Sequence, residues 1–262
     1  MDKGIVSIHE LLHVAKQAAR EAGDYAMENR HRRLEVNRRT HHDVKLRLDL
    51  ETQRIAEACL RRYFPHHSIF GEEWGELDRD AEYLWIVDPI DGSINFMQGL
   101  PYWCSSIAIM REGEVVAGAV YAAEQDECFS ASIDGNATCN GDRIHVSETS
   151  DLHAATVCAA GLSRITLNQQ PGFLRLLTEV GKIRVFGAAA LDLCYVASGR
   201  FDALVEHGLN LWDVAAGSLI VRKAGGIVEK IETISELSSD YMASNGVLQE
   251  PLKQVLDVGG NS

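Results

Sequence analysis

Trp85-Ile86-Val87-Asp88-Pro89-Ile90-Asp91-Gly92-Ser93-Ile94-Asn95-Phe96 is the stretch on which the reading of this chain turns. Its first three residues are aromatic and β-branched, the composition of a buried strand. Proline fixes its own φ and has no N–H to donate, so the strand is expected to stop at Pro89. Gly92 then lets the backbone turn and approach a ligand closely. The expected product is two carboxylates, Asp88 and Asp91, at the mouth of a strand, followed by free N–H groups at the start of a short helix. Carboxylate oxygens are hard ligands suited to Mg²⁺, which keeps several waters and shares a substrate phosphate. Free N–H groups at a helix start favour the same anion. Asp-Pro and Asp-Gly are also ordinary turn formers, so the letters DPIDG alone fit a plain turn equally well.

Outward from this stretch, acids recur at the ends of other elements. Gly71-Glu72-Glu73 closes a short strand, Ser68-Ile69-Phe70. Asp213 stands at the start of a helix through Arg222 that Gly225-Gly226 terminates, and Asp49 precedes a helix that runs to Pro65. Each of these two aspartates reads on its own as an N-cap. His66-His67 are neighbours on a strand and face opposite sides, which fits ordinary polar positions better than a metal pair. Glu206 closes an expected strand over Phe201–Val205.

The remaining pattern is a mixture of helices and antiparallel strands. Ser7-x-x-Glu10 is a capping box. Ile8, Leu11, Leu12, Ala15, Ala18, Ala19, Ala22 and Ala26 then mark one face of a long amphipathic helix. Residues 105–135 read as a three-stranded meander, and Asn140-Gly141 as a further hairpin turn. Strands are expected at Ala155–Ala159, leading into Gly161-Leu162-Ser163-Arg164, and at Ile183–Phe186, with a helix over Phe173–Val180 between them. Gly187-Ala188-Ala189-Ala190 opens a small-residue helix that closes at Gly199. Short strands at Ile227-Val228 and Tyr241–Ala243 and a C-terminal helix finish the chain. Residues 30–43, rich in Arg and His, break the helical pattern and read as a solvated loop or as a basic flap over an anionic site. There is no GxGxxG after a strand, no Walker A sequence and no internal repeat.

Composition limits the function classes. The chain has 262 residues, enough for one large domain or two tightly joined halves, and a net charge of −13 that argues against nucleic acid or an anionic membrane as partner. An acidic protein that holds a phosphate needs local positive charge, and metal ions are the obvious source. Six scattered cysteines without a CxxC pair fit reduced thiols in a cytoplasmic protein. No 18-residue apolar run is present, so no membrane span is expected.

WIVDPIDGSINF followed by QGLPYWCSSIAI, together with FGEE (70–73) and LWDVAAGSLIVRKAGG (211–226), strongly resembles the inositol monophosphatase family. The similarity runs from about residue 8 to about 257. The resemblance implies an α+β layered αβαβα sandwich forming a single domain over 1–262, with a metal-binding half at about 1–145 and a substrate-side half at about 146–262. It implies two or three Mg²⁺ ions held by Glu72, Asp88, the Ile90 carbonyl, Asp91 and Asp213, with Asp49 touching the metal site through water and Glu73 orienting its neighbour. It implies phosphate held by the N–H groups of Gly92 and Ser93, and the alcohol half of the substrate lined by Gly187, Ala188, Ala189 and Glu206. A homodimer is expected, as is a small phosphate ester as partner.

The chemistry implied is hydrolysis of a phosphate monoester by a metal-activated water, with Glu72, Ser93 and Asp49 as catalytic residues. Phosphate monoesters hydrolyse so slowly that accelerations approach ~10²¹-fold, which a metal assembly can support and a single side chain cannot. Inositol monophosphate is the expected substrate. Fructose 1,6-bisphosphate, histidinol phosphate and a 3′-phosphonucleotide are the alternatives, and a regulatory binding protein without turnover is the reading from another class. Two departures stand out. The family usually has threonine where this chain has Ser93, which keeps the hydroxyl with a freer χ1 and is expected to leave activity intact but slower. The lysine of the family's flexible segment aligns with Arg38, so its role is not carried over. Lys45, a few residues on, has no family counterpart and is given no part.

Overall fold

The computed structural model describes residues 6–39, 44–161, 167 and 169–256. Ser7 Oγ accepts from the Glu10 N–H at 3.1 Å and starts α1 (Ile8–Glu28). Leu11, Val14, Ala15, Ala18, Ala19, Ala22 and Ala26 recur at helical spacing and are buried, as the periodicity requires. Two short strands follow, β1 (Val36–Arg39) and β2 (Val44–Leu46), which form an antiparallel ribbon before α2 (Arg47–Tyr63). Residues 40–43, the end of the Arg-rich run, and Leu162-Ser163-Arg164 lie outside the described residues.

The next segments make a seven-stranded sheet in sequence order: β3 (Ser68–Gly71), β4 (Tyr83–Asp91), β5 (Cys104–Arg111), β6 (Glu114–Ala122), β7 (Glu127–Ser132), β8 (Thr138–Cys139) and β9 (Asp142–Arg143). Only β3 and β4 are parallel; the others are joined as a meander, with α3 (Ser93–Gln98) inserted after β4. A second sheet has the order β11-β10-β12-β14-β13. It is built from β10 (Thr156–Ala160), β11 (Lys182–Arg184), β12 (Ala203–Asn210), β13 (Ile227–Thr233) and β14 (Ser238–Ser244), interleaved with α4 (Gln170–Glu179), α5 (Ala189–Ala197), α6 (Leu211–Lys223) and α7 (Gln249–Leu256).

Side-chain alternation in β4 shows why the layers stack. Tyr83, Trp85 and Val87 point to α1 and α2, whereas Leu84 and Ile86 point to α5 and α6. Both faces of this strand are covered, which explains its unbroken run of apolar letters. Burying side chains such as Trp85 and Ile86 contributes roughly 1.5–3 kcal/mol each. The five-stranded sheet lies on the far side of α5 and α6, and α4 and α7 cover its outer face with Phe173, Leu176 and Leu252, joined by Leu248 just before α7. The order is α1/α2, sheet, α5/α6, sheet, α4/α7: the layered αβαβα sandwich.

The structure corrects three local expectations. β4 does not stop at Pro89 but runs through it to Asp91, with a register shift against β5 between Asp88 and Asp91. A bulge is one of the few places a sheet accepts proline. Asp49 and Asp213 are not N-caps: each is the third helical residue, after the N-caps Leu46 and Asn210. Glu206 lies inside β12 and not past its end.

Candidate active site

A regular strand points residues three apart to opposite faces. The shift at Pro89 breaks that alternation, and Asp88 and Asp91 both line one cavity. Ser105 Oγ donates to the Pro89 carbonyl at 2.6 Å and pins the bulge. Gly92 turns the chain at φ +89°, and a Cβ there would come within 3.1 Å of both the Ala188 Cβ and the Tyr102 carbonyl. No other residue fits this turn without strain. Ser93 then opens α3. Its hydroxyl donates to the Ile90 carbonyl at 2.9 Å and stands 3.5 Å from Asp49 Oδ1.

Asp91 is held from the other half of the chain. Its Oδ1 accepts from the Ala189 N–H at 3.2 Å and its Oδ2 from the Ala190 N–H at 2.8 Å, the first amides of α5. The N-cap position of α5, Ala188, offers no side-chain oxygen, so Asp91 satisfies these amides from a distance. Burial pushes the Asp91 carboxyl up to about 7, against the pull of the Ala190 N–H and the Cys104 thiol. Asp88 is shifted well upward as well, first by burial and then by Glu72, Asp91 and Asp213.

Glu72 sits just past β3, where its N–H donates to the Val87 carbonyl at 3.0 Å. The Gln53 amide braces this corner from α2: Oε1 accepts from the Glu73 N–H at 3.0 Å, and Nε2 donates to the Trp74 carbonyl at 3.3 Å. A Cβ on Gly71 would meet that amide at 2.3–2.4 Å, so glycine is required where the brace crosses the strand. Lys45, reaching in from β2, pairs with the carboxylates of both Glu72 and Glu73, the latter at 2.8 Å. Their charge holds the ammonium's pKa above its ordinary value in spite of burial.

Asp49 and Asp213 share one device. Asp49 Oδ2 accepts from the Leu46 N–H at 2.6 Å, and Asp213 Oδ2 accepts from the Asn210 N–H at 2.7 Å. Each closes the first turn of its helix by bonding back to the N-cap amide. Trp212 packs edge-on against Phe70, with ring centroids 5.6 Å apart, and ties the start of α6 to β3. Asp49 is almost wholly buried, and burial is the main cause that raises its carboxyl well above the ordinary range.

The cavity has a volume of about 520 Å³, within the range of small-molecule sites. Glu72, Asp88, Ile90, Asp91, Gly92, Ser93 and Asp213 line it, together with Gly187, Ala189 and Glu206. Two expected members are absent from the wall. Ala188 is fully buried behind Gly92, and Asp49 lies behind Ser93. His67 is no metal ligand candidate: its ring stacks between Phe64 and Tyr83, and its Nδ1 accepts from Trp85 Nε1 at 3.2 Å. Arg38 is the cross-strand partner of Lys45 on the β1–β2 ribbon, and directly paired residues share a ribbon face.

Gln53 and Lys45 carried no motif signal. Lys45 was visible only as the polar position between Val44 and Leu46, alternating against two buried residues in a stretch that ends in a site acid.

Hard oxygen donors fit a divalent cation here. Asp88 Oδ1 is buried without a hydrogen-bond partner, and the buried Asp88 and Asp91 share the cavity with the part-exposed Glu72 and Asp213, carboxylates that repel one another unless a cation joins them. Among the described residues, no group of three or more Asp, Glu, His or Cys side chains stands close enough together to hold a metal ion as placed.

Residues 7–257 match the inositol monophosphatase family, a family of phosphatases, and the chain belongs to it. Over 228 residues it is 37% identical to the Nus factor SuhB of Pasteurella multocida, covering 84% of this chain and 85% of that one. Over 251 residues it is 35% identical to the inositol-1-monophosphatase of Mesorhizobium japonicum, covering 92% and 94%. The IMPase of Thermotoga maritima has the same fold, with a TM-score of 0.85, 32% identity, and coverage of 95% and 97%.

Proposed function

We propose that this protein hydrolyses a small phosphate monoester in a Mg²⁺-dependent reaction, with inositol monophosphate as its preferred substrate. The observation that carries this reading is that Glu72, Asp88, Asp91 and Asp213 line one cavity together with Glu206. Two or three Mg²⁺ ions would be held by Glu72, Asp88, the Ile90 carbonyl, Asp91 and Asp213. When bound, they supply charge neutralisation of the phosphate and an acidified water.

The chain's own groups then divide the work. The Ser93 hydroxyl holds the attacking water and passes a proton toward Asp49, whose burial gives it a high proton affinity. Glu72 orients the same water from the cavity side. The N–H groups of Gly92 and Ser93 hold phosphate oxygens. Gly187, Ala189 and Glu206 receive the alcohol, with Glu206 accepting its hydroxyl protons. The proposal extends to a cytoplasmic homodimer, for which the solution mass is the check.

The test is phosphate release by metal-stripped protein, with and without Mg²⁺. Inositol 1-phosphate, fructose 1,6-bisphosphate, histidinol phosphate and adenosine 3′,5′-bisphosphate are the substrates. Mg²⁺-dependent release favouring inositol 1-phosphate is the expected result. Preference for another substrate keeps the chemistry and overturns the assignment of Glu206. A second reading, a binding factor without turnover, draws support from relatives named as Nus factors. No release from any substrate would select it.

A further inference from the structure

Lys45 has no part in the chemistry described so far, yet it pairs with one of the acids that line the cavity. Its ammonium bridges Glu72, which lines the cavity, and Glu73, the residue after it. The geometry is built and not incidental. Val44 and Leu46 are buried on either side of it, so the strand's alternation directs Lys45 away from them and toward the acids. Leu46 is in turn fixed by its N–H bond to Asp49, at 2.6 Å, within the same site. On the acidic side, Gln53 holds the Glu73 N–H at 3.0 Å and so sets the height of both carboxylates.

We propose that Lys45 is a tethered cation of the active site, which neutralises Glu72 and Glu73 in the metal-free protein and competes with a divalent ion for Glu72. An ammonium is a compact point charge with three donors, able to span two carboxylates as a metal ion does. A carboxylate oxygen paired with it is not available to a metal until the pair opens. The chain therefore trades tight binding of one exchangeable ion for a charge that is always present. This inference rests on the proposed metal site but concerns a different residue, and its failure can be told apart from failure of that reading.

The experiment is calorimetric titration of metal-stripped protein with Mg²⁺, repeated with Mn²⁺ counted by electron paramagnetic resonance, on wild type and Lys45→Met. Methionine keeps the length of the stem and removes the charge. Lys45→Met is expected to bind the weakest ion roughly tenfold more tightly, or to take up one ion more, because Glu72 is released. It is also expected to melt lower than wild type in chelator and to recover in excess Mg²⁺, since the metal then replaces the ammonium between the two acids. If Lys45→Met is unfolded in chelator, Mg²⁺ is expected to fold it. Equal affinity and equal stoichiometry in the two proteins would overturn the proposal, as would a variant that Mg²⁺ cannot restore. Wild type that binds neither ion would instead overturn the metal-site reading beneath it.

Discussion

Asp91 and Ala190, 99 positions apart, are joined by a hydrogen bond of 2.8 Å from the Ala190 amide to the Asp91 carboxylate. One end belongs to the strand that leads out of the seven-stranded sheet; the other begins a helix between the two sheets. A side chain assigned to metal chemistry thus also closes the first turn of a distant helix, and the cap uses both of its carboxylate oxygens.

Asp91→Asn is therefore expected to lose Mg²⁺-dependent turnover by at least about 100-fold. The weakened cap on α5 is expected to destabilise the protein by about 1 kcal/mol, a fall in Tm of a few degrees for a chain of this size. Normal turnover in Mg²⁺ would remove Asp91 from the site.

Ser93→Ala removes the hydroxyl that links the Ile90 carbonyl with Asp49. A fall in kcat of roughly 10²–10⁴-fold with little change in Tm is expected from the loss of proton transfer. Ser93→Thr is expected to match or exceed wild type, since its χ1 is more restricted. A Ser93→Ala protein with unchanged kcat would exclude the relay.

The metal-free protein is expected to lose stability as pH rises from about 4 to about 7. Burial holds the Asp91 carboxyl at about 7 and the Asp192 carboxyl at about 6, both far above the unfolded value of about 3.9. Each folded-state pKa is raised, so each contributes stability that is complete below the unfolded pKa and lost as pH rises through the folded one. Tm measured in chelator should fall across that window, and Mg²⁺ added at pH 7.5 should recover it. A Tm that climbs between pH 4.5 and 7 would contradict these assignments.

Glu206→Gln is expected to raise KM for inositol 1-phosphate several-fold while leaving kcat within about threefold, because Glu206 is assigned to the alcohol half of the substrate and not to the phosphate. An equal loss in kcat would place Glu206 in the chemistry instead.

Much of this architecture was legible in the letters. The stripe of α1, the meander from Cys104 to Ser132 and the turn at Asn140-Gly141 follow from periodicity and turn chemistry, and the structure has them. Pro89 misled because its effect depends on pairing: a bulge absorbs the missing donor, and no local rule foretells a bulge. The N-cap alternative for Asp49 and Asp213 falls three residues short: an aspartate at the third helical position bonds back to the N-cap amide, whereas an N-cap side chain accepts from amides further into the helix. Gln53 and Lys45 reach the acidic corner through contacts with residues 20 to 28 positions away, which propensity does not encode.

Asp49, Asp91 and Asp213 each fasten the opening turn of a helix, at the cavity wall or directly behind it. Under the proposed function, substituting any of them taxes folding and chemistry together, so few sequence changes at these positions leave a viable protein. Glu206 and Gly187 line the same cavity without taking part in those caps. Variation there is restrained by fit to the substrate more than by the integrity of the helices. A lineage built on this plan can change what it accepts far more readily than what it does to it.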